Sequence, residues 1–172
     1  GTEATATLHV VGNLRDNIIV SVPIWRDKWV NAEHFAYMKD AGVDMVVAVS
    51  GIETADYTVS NNMLKTALNT WSGGNGIRVL VHSTNDMLDN ILDDTDRDLE
   101  RLVSRFDGHP AMAGYHLIDE PGAAALPRVG EFVRAYREAD PKRYPFVNLF
   151  PSYVGTAVME GGGAGLGGGL KG

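Results

Sequence analysis

Two hydrophobic periods trade places along this chain. "NIIVSVPIW" (17–25) is an almost unbroken apolar, β-branched run and reads as a first strand. "NAEHFAYMKDAG" (31–42) follows with Phe35, Met38 and Ala41 at helical spacing, Asn31 placed to cap its start and Gly42 its end. "VDMVVAVS" (43–50) reads as a second strand, and "NNMLKTALNTW" (61–71) as a helix stopped by "SGGNG". "IRVLVHS" (77–83) is a third strand. In "DTDRDLERLVSRFDGHP" (94–110), Leu99, Leu102, Val103 and Phe106 form one helical face. Thr95 with Asp98 resembles a capping box there, and Gly108 and Pro110 close the helix. "MAGYHLI" (112–118) is a fourth strand. "LPRVGEFVRAYREAD" (126–140) is a helix with Pro127 in its first turn, Val129, Phe132, Val133 and Tyr136 on one face, and Pro141 as its stop. "YPFVNLF" (144–150) is a fifth strand.

Apolar strands alternating with amphipathic helices predict an α/β fold with a parallel sheet and crossover helices. Either an open doubly wound sheet or part of a (β/α)8 barrel satisfies that pattern. After the first strand comes "VPIWRDKW", where a dinucleotide-binding sheet would carry a glycine-rich phosphate loop. The expectation is therefore an incomplete (β/α)8, TIM-barrel-like domain of about five parallel strands over residues 1–160. Residues 161–172 hold eight glycines in twelve positions, a composition that predicts a flexible tail outside the fold.

Composition narrows the partners. The net charge is −7 and no basic stripe offsets it, so no nucleic acid is expected as a partner. No stretch approaches the ~20 apolar residues of a membrane span, so no membrane is expected either. The chain has no cysteine, which removes disulfides and sulfur-built zinc sites and is silent on compartment. No leader peptide is visible, and the first residues read like a mature start. The expectation leans to a secreted or periplasmic setting.

In both α/β layouts ligands bind at the carboxyl ends of the strands. Those ends present Trp25 and Arg26; Ser50, Gly51 and Glu53; His82 and Ser83; Asp119 and Glu120; Asn148 and Phe150, with Ser152 and Tyr153 beyond. Aromatic faces, hydroxyl-binding groups and carboxylates together suit a sugar. Plainer readings stand beside this one. Trp25 is either a sugar platform or a cap on the core. Arg26 pairs with a carboxylate such as Glu120 or stays solvated. His82 touches substrate or packs, and Asn148 binds hydroxyls or caps the turn before Pro151. Trp71 reads as packing in the outer layer. His82 and His116 with Asp86, Asp119 or Glu120 would make an N/O metal set, but their spacing fits no compact motif. His116 is expected to be a hydrogen-bonded core residue, with no metal and no cofactor. The acidic run at 85–98 lacks the glycine and terminal glutamate of a calcium loop; a solvated helix start explains it.

"GYHLIDEPG" (114–122), followed by "LPRVGEFVRAYREADPKRYPFVNLFPSY" (126–153), resembles the middle of a bacterial (β/α)8 glycoside hydrolase of the large retaining clan. The resemblance spans roughly residues 17–153. It implies that Glu120 is the general acid/base after strand four. Asp119 stands where the family carries an Asn that contacts the sugar 2-hydroxyl. It further implies a β-linked oligo- or polysaccharide substrate, with Trp25, Arg26, His82, Asp119, Asn148 and Tyr153 lining the sugar site. A retaining mechanism needs a second carboxylate ~5–5.5 Å away. In the clan it ends strand seven, and no residue here matches it. Glu53 and Asp119 are the local substitutes. Consecutive strand residues point to opposite sides, so a pocket-facing Glu120 would turn Asp119 towards a loop or helix end. Three accounts stay open: a truncated barrel, a homodimer that completes the barrel, and a five-stranded form with changed function. The readings from other classes are a non-catalytic carbohydrate-binding or assembly module and a metal-dependent barrel hydrolase.

Overall fold

The computed structural model describes residues 19–49, 57–72, 75–83, 95–151 and 155. Its strands are β1 (Ser21–Ile24), β2 (Met45–Ala48), β3 (Arg78–His82), β4 (Met112–Asp119) and β5 (Tyr144–Asn148). Between them lie α1 (Ala32–Asp40), α2 (Thr58–Leu68), α3 (Thr95–Arg105) and α4 (Leu126–Ala139). Short 3-10 turns follow β1 at Asp27–Trp29 and β4 at Ala123–Ala125. All neighbouring strands pair in parallel, in the order β1-β2-β3-β4-β5. The sheet curls into half a barrel with alternating helices, an α/β incomplete barrel-like fold. The expected fold class is therefore the one observed. The glycine-rich segment 161–172 lies outside the described residues.

The inner strands β2, β3 and β4 are buried on both faces, which is why they are apolar without alternation, whereas β1 and β5 are partly exposed. On the helix-covered face Val46, Ala48, Val79, Val81, Tyr115 and Leu117 join a core with Phe35 of α1, Met63 and Leu64 of α2, Leu102 of α3 and Phe132 of α4. On the inner face Met45, Val47, Leu80 and Ala113 form a smaller cluster with Phe146 packed against it. Each fully buried Leu, Met or Phe here contributes about 1.5–3 kcal/mol. Tyr115 ties sheet to helix as well, its hydroxyl donating to the Leu102 carbonyl at 2.6 Å.

Helix boundaries follow local chemistry. The Asn31 side chain accepts from the His34 N–H at 3.0 Å, as its capping position predicts. Gly42 takes φ +82° just beyond α1, and Gly108 takes φ +77° beyond α3, conformations that glycine adopts without strain. Pro127 sits in the first turn of α4. Two expectations need correction. Ala41 is exposed rather than part of the apolar face, because α1 ends at Asp40 and Ala41 already belongs to the cap. Helix α2 starts at Thr58, before the predicted Asn61. Tyr57, buried with its ring edge-on to Phe106 at 5.8 Å, anchors that earlier start. The Thr95–Asp98 capping box falls on side chains outside the described set.

β4 departs twice from regular pairing. Against β3 the register jumps from Val79↔Met112 to Leu80↔Gly114, leaving Ala113 as an extra residue. Against β5 it jumps from His116↔Phe146 to Ile118↔Val147, leaving Leu117 extra. Such bulges re-aim the side chains that follow them. Gly114, at φ +153°, is required where the strands close up: a Cβ there would lie 2.1 Å from the Tyr144 carbonyl oxygen.

Candidate functional site

The carboxyl end of the sheet is built on two histidines. His82 ends β3 and is the register partner of His116 in β4. Their rings meet edge to face, centroids 5.1 Å apart, and His116 meets Phe146 of β5 in the same manner at 5.3 Å. Three neighbouring strands thus carry one row of rings. His82 and His116 are both buried, at 3% and 1% exposure. His116 Nδ1 lies 2.9 Å from the Ala48 carbonyl oxygen of β2. A carbonyl only accepts, so Nδ1 carries the proton and Nε2 presents a lone pair. That lone pair faces Asp119 Oδ1 at 4.0 Å. His116 Nε2 and His82 Nδ1 are buried without a hydrogen-bond partner. Burial pushes the His82 pKa from 6.5 down to about 4; His116 adds to the lowering and Asp119 opposes it.

The second bulge in β4 decides which acid joins this row. In a regular strand His116, Ile118 and Glu120 would share a face. With Leu117 extra, Ile118 packs into the helix-side core. Asp119 then lies beside His116. The expectation that Asp119 turns to a loop or helix end is corrected: it bonds to β5, where the Asn148 side-chain amide donates to its Oδ1 at 2.7 Å. The Asn148 carbonyl also accepts from the Glu120 N–H at 2.8 Å. One residue of β5 therefore holds both acids. The carbonyls around the bulge are served by Ser83, just past β3. Its hydroxyl lies 2.6 Å from the Leu117 oxygen and 3.1 Å from that of His116, and its N–H donates to the latter at 3.0 Å.

Glu120 itself has φ +48°, left-handed backbone. A side chain there costs roughly 1–2 kcal/mol, and such strain concentrates at functional positions. Its side chain is partly buried.

The remaining sequence candidates fall into three groups. Trp25 is 54% exposed at the end of β1, so it does not cap the core. Arg26 is exposed beside it and, among the described residues, forms no ion pair, Glu120 included. Asn148 is spent on Asp119 rather than on the turn before Pro151. Trp71 packs as expected, donating from its indole to the Ile77 carbonyl at 2.9 Å. Tyr153, Glu53, Ser50, Gly51, Ser152 and Asp86 lie outside the described residues. Among those described, no three His, Asp or Glu side chains come close enough to hold a metal ion.

Two roles escaped the sequence. His116 links β2 to Asp119, and Ser83 bonds the bulge. His116 is the hydrogen-bonded core residue that the sequence predicts, bonded to the Ala48 carbonyl, but its place beside Asp119 comes from the bulge at Leu117, which strand periodicity does not mark. Nothing in the sequence around Ser83 marks the bulge it serves. Two surface cavities, of about 300 and 490 Å³, open at the amino ends of the strands, around Arg78 and Tyr144, and share no residue with this group.

Compared with protein families, with curated proteins and with solved structures, the chain matches none.

Proposed function

We propose that this chain is a glycoside hydrolase acting on a β-linked oligo- or polysaccharide, with Glu120 as general acid/base. One observation carries the reading. Glu120 is held in strained backbone at the carboxyl end of a central strand, its N–H tied to Asn148. In barrel-type sheets that end is where substrates bind. The likeness of "GYHLIDEPG" to the acid/base strand of the retaining clan supports the same role.

In this reading Glu120 protonates the leaving oxygen and then deprotonates water. Asp119, fixed by Asn148, orients a sugar hydroxyl. The exposed Trp25 offers its face to the apolar side of a ring, and Arg26 bonds hydroxyls. Asp119 is already engaged, so the attacking carboxylate is Glu53 or one brought by a second copy of the chain.

The test is reducing-sugar release from β-glucans, xylan, mannan and aryl glycosides. Glu120→Gln should lower turnover by roughly 10²–10⁴-fold. Turnover indifferent to that change would overturn the assignment of Glu120. The engagement of Asp119 by Asn148 favours one second reading, a non-catalytic carbohydrate-binding module. A sugar that raises the melting temperature with no hydrolysis of any substrate would establish it.

A further inference from the structure

The turn from α4 into β5 gathers positive charge that its own acids do not match. The Arg143 N–H donates to the Asp140 carbonyl at 3.4 Å and closes the turn, with Pro141 at the position whose φ a proline sets in advance. The Arg143 side chain then ties the turn down. Its guanidinium donates to Asp140 Oδ2 at 2.8 Å and to Asp107 Oδ1, beyond α3, at 3.1 Å. Those bonds consume both carboxylates. Arg137, in the last turn of α4, and Lys142, in the turn itself, are exposed and form no ion pair among the described residues.

Arg137, Lys142 and Arg143 line one cavity of about 490 Å³, and no carboxylate lines it with them. Glu138 follows Arg137 in sequence but is not part of that lining. The C-terminal end of α4 sets about half a negative charge against the group, less than the two unmatched cations supply. The rest of the wall is Tyr144, 46% exposed, with Pro141, Pro145 and Val133. A local positive excess beside an aromatic ring stands out on a chain of net charge −7.

We propose that this cavity binds an organic phosphate, a phosphate monoester whose head sits between Arg137 and Lys142 and whose apolar body lies against Tyr144. A guanidinium fork meets phosphate oxygens in pairs, and an ammonium adds a point charge. A phosphate dianion answers two cations, where a carboxylate answers one. The turn is already braced by Arg143, so binding has little left to order. The site is at the opposite end of β5 from Asn148 and takes nothing from the hydrolase reading.

The experiment is an amide NMR titration of the full chain with phenyl phosphate, inorganic phosphate and phenol at fixed ionic strength, above the second phosphate pKa of about 6. Phenyl phosphate should saturate and shift the amides of Lys142, Arg143 and Tyr144. Inorganic phosphate should bind roughly tenfold more weakly for want of the ring contact, and phenol should not bind. Arg137→Gln and Lys142→Gln, both at exposed positions that the fold does not use, should each weaken phenyl phosphate about tenfold, the loss of one charge-assisted bond. Arg134→Gln, exposed on the same helix but outside the lining, should bind as the parent chain does. A titration that never saturates, or inorganic phosphate binding as tightly as phenyl phosphate, would overturn the proposal. So would affinity unchanged in Arg137→Gln and Lys142→Gln, or a loss in Arg134→Gln equal to theirs. Because no sugar enters the measurement, its failure is separable from failure of the hydrolase reading.

Discussion

Asn148 and Asp119, register partners on β5 and β4, are also joined through their side chains, amide to carboxylate, at 2.7 Å. Strand pairing thus sets the height of the two residues, and the side-chain bond sets the direction of the carboxylate. The Asn148 backbone adds the bond to Glu120. The rim owes its shape to β5 as much as to the strand that carries the acids.

Asn148→Ala should therefore cost about 1 kcal/mol of stability, below the ~1.5–3 kcal/mol of a charge-assisted hydrogen bond because the site is solvent-facing. Asn148→Asp should cost more, since it sets one carboxylate against another. Urea unfolding of the three proteins at pH 7 tests that ranking. A neutral Asn148→Asp would contradict the bond.

His82 links stability to pH. Its folded pKa is about 4, against 6.5 for the free group. Between those values the unfolded chain binds the proton and the folded chain does not. Stability is therefore full above pH 6.5, falls as pH drops towards 4, and levels off below. The total is about 3 kcal/mol. His82→Gln should flatten this part of the profile, as measured by urea unfolding at pH 7, 5.5 and 4.5.

Gly114→Ala should be among the most damaging single-methyl additions in the chain. The new carbon would meet the Tyr144 backbone at 2.1 Å and inherit φ +153°. A loss of about 3–5 kcal/mol is expected, the range of combined overpacking and backbone strain. Gly76→Ala meets the Trp71 indole at 2.2 Å instead. There the side chain takes the displacement, and a change in tryptophan emission should accompany the loss.

Glu120→Gly gives a two-sided test. Relieving the left-handed glutamate gains roughly 1–2 kcal/mol, offset in part by the ~0.5–1 kcal/mol entropy that glycine loses on folding. A net gain of about 0.5–1 kcal/mol should appear in the urea midpoint. Under the hydrolase reading the same variant should lose turnover, the trade expected where a strained residue serves function. An acid that is merely part of a loop would show the gain without the loss.

The sequence made the elements legible because their signals are local. Asn31, Gly42, Gly108 and Pro127 act within a turn or two, and the run at 43–50 is apolar on both faces as a buried strand must be, which β2 bears out. The bulges in β4 were not legible. Ala113 and Leu117 are ordinary apolar residues in an apolar run, and only pairing with β3 and β5 makes them extra. Counting by twos set Asp119 opposite to His116; Leu117 reverses that relation. The start of α2 was misplaced for a related reason: Tyr57 earns its position by packing on Phe106, a partner far along the chain.

Both flanking strands, β1 and β5, leave the sheet open on their outer sides among the described residues. Every strand runs in the same direction, and the rim groups His82, Ser83, His116, Asp119 and Asn148 lie on or directly beside the three strands β3 to β5. The architecture is consequently modular. The β1–α1 unit can be exchanged, or a further strand–helix unit grafted beyond β5, while the contacts that shape the rim stay in place. Recombination among barrel fragments would act on the borders of this sheet, where Trp25 and Arg26 follow β1, and spare the row of His82, His116, Asp119 and Asn148.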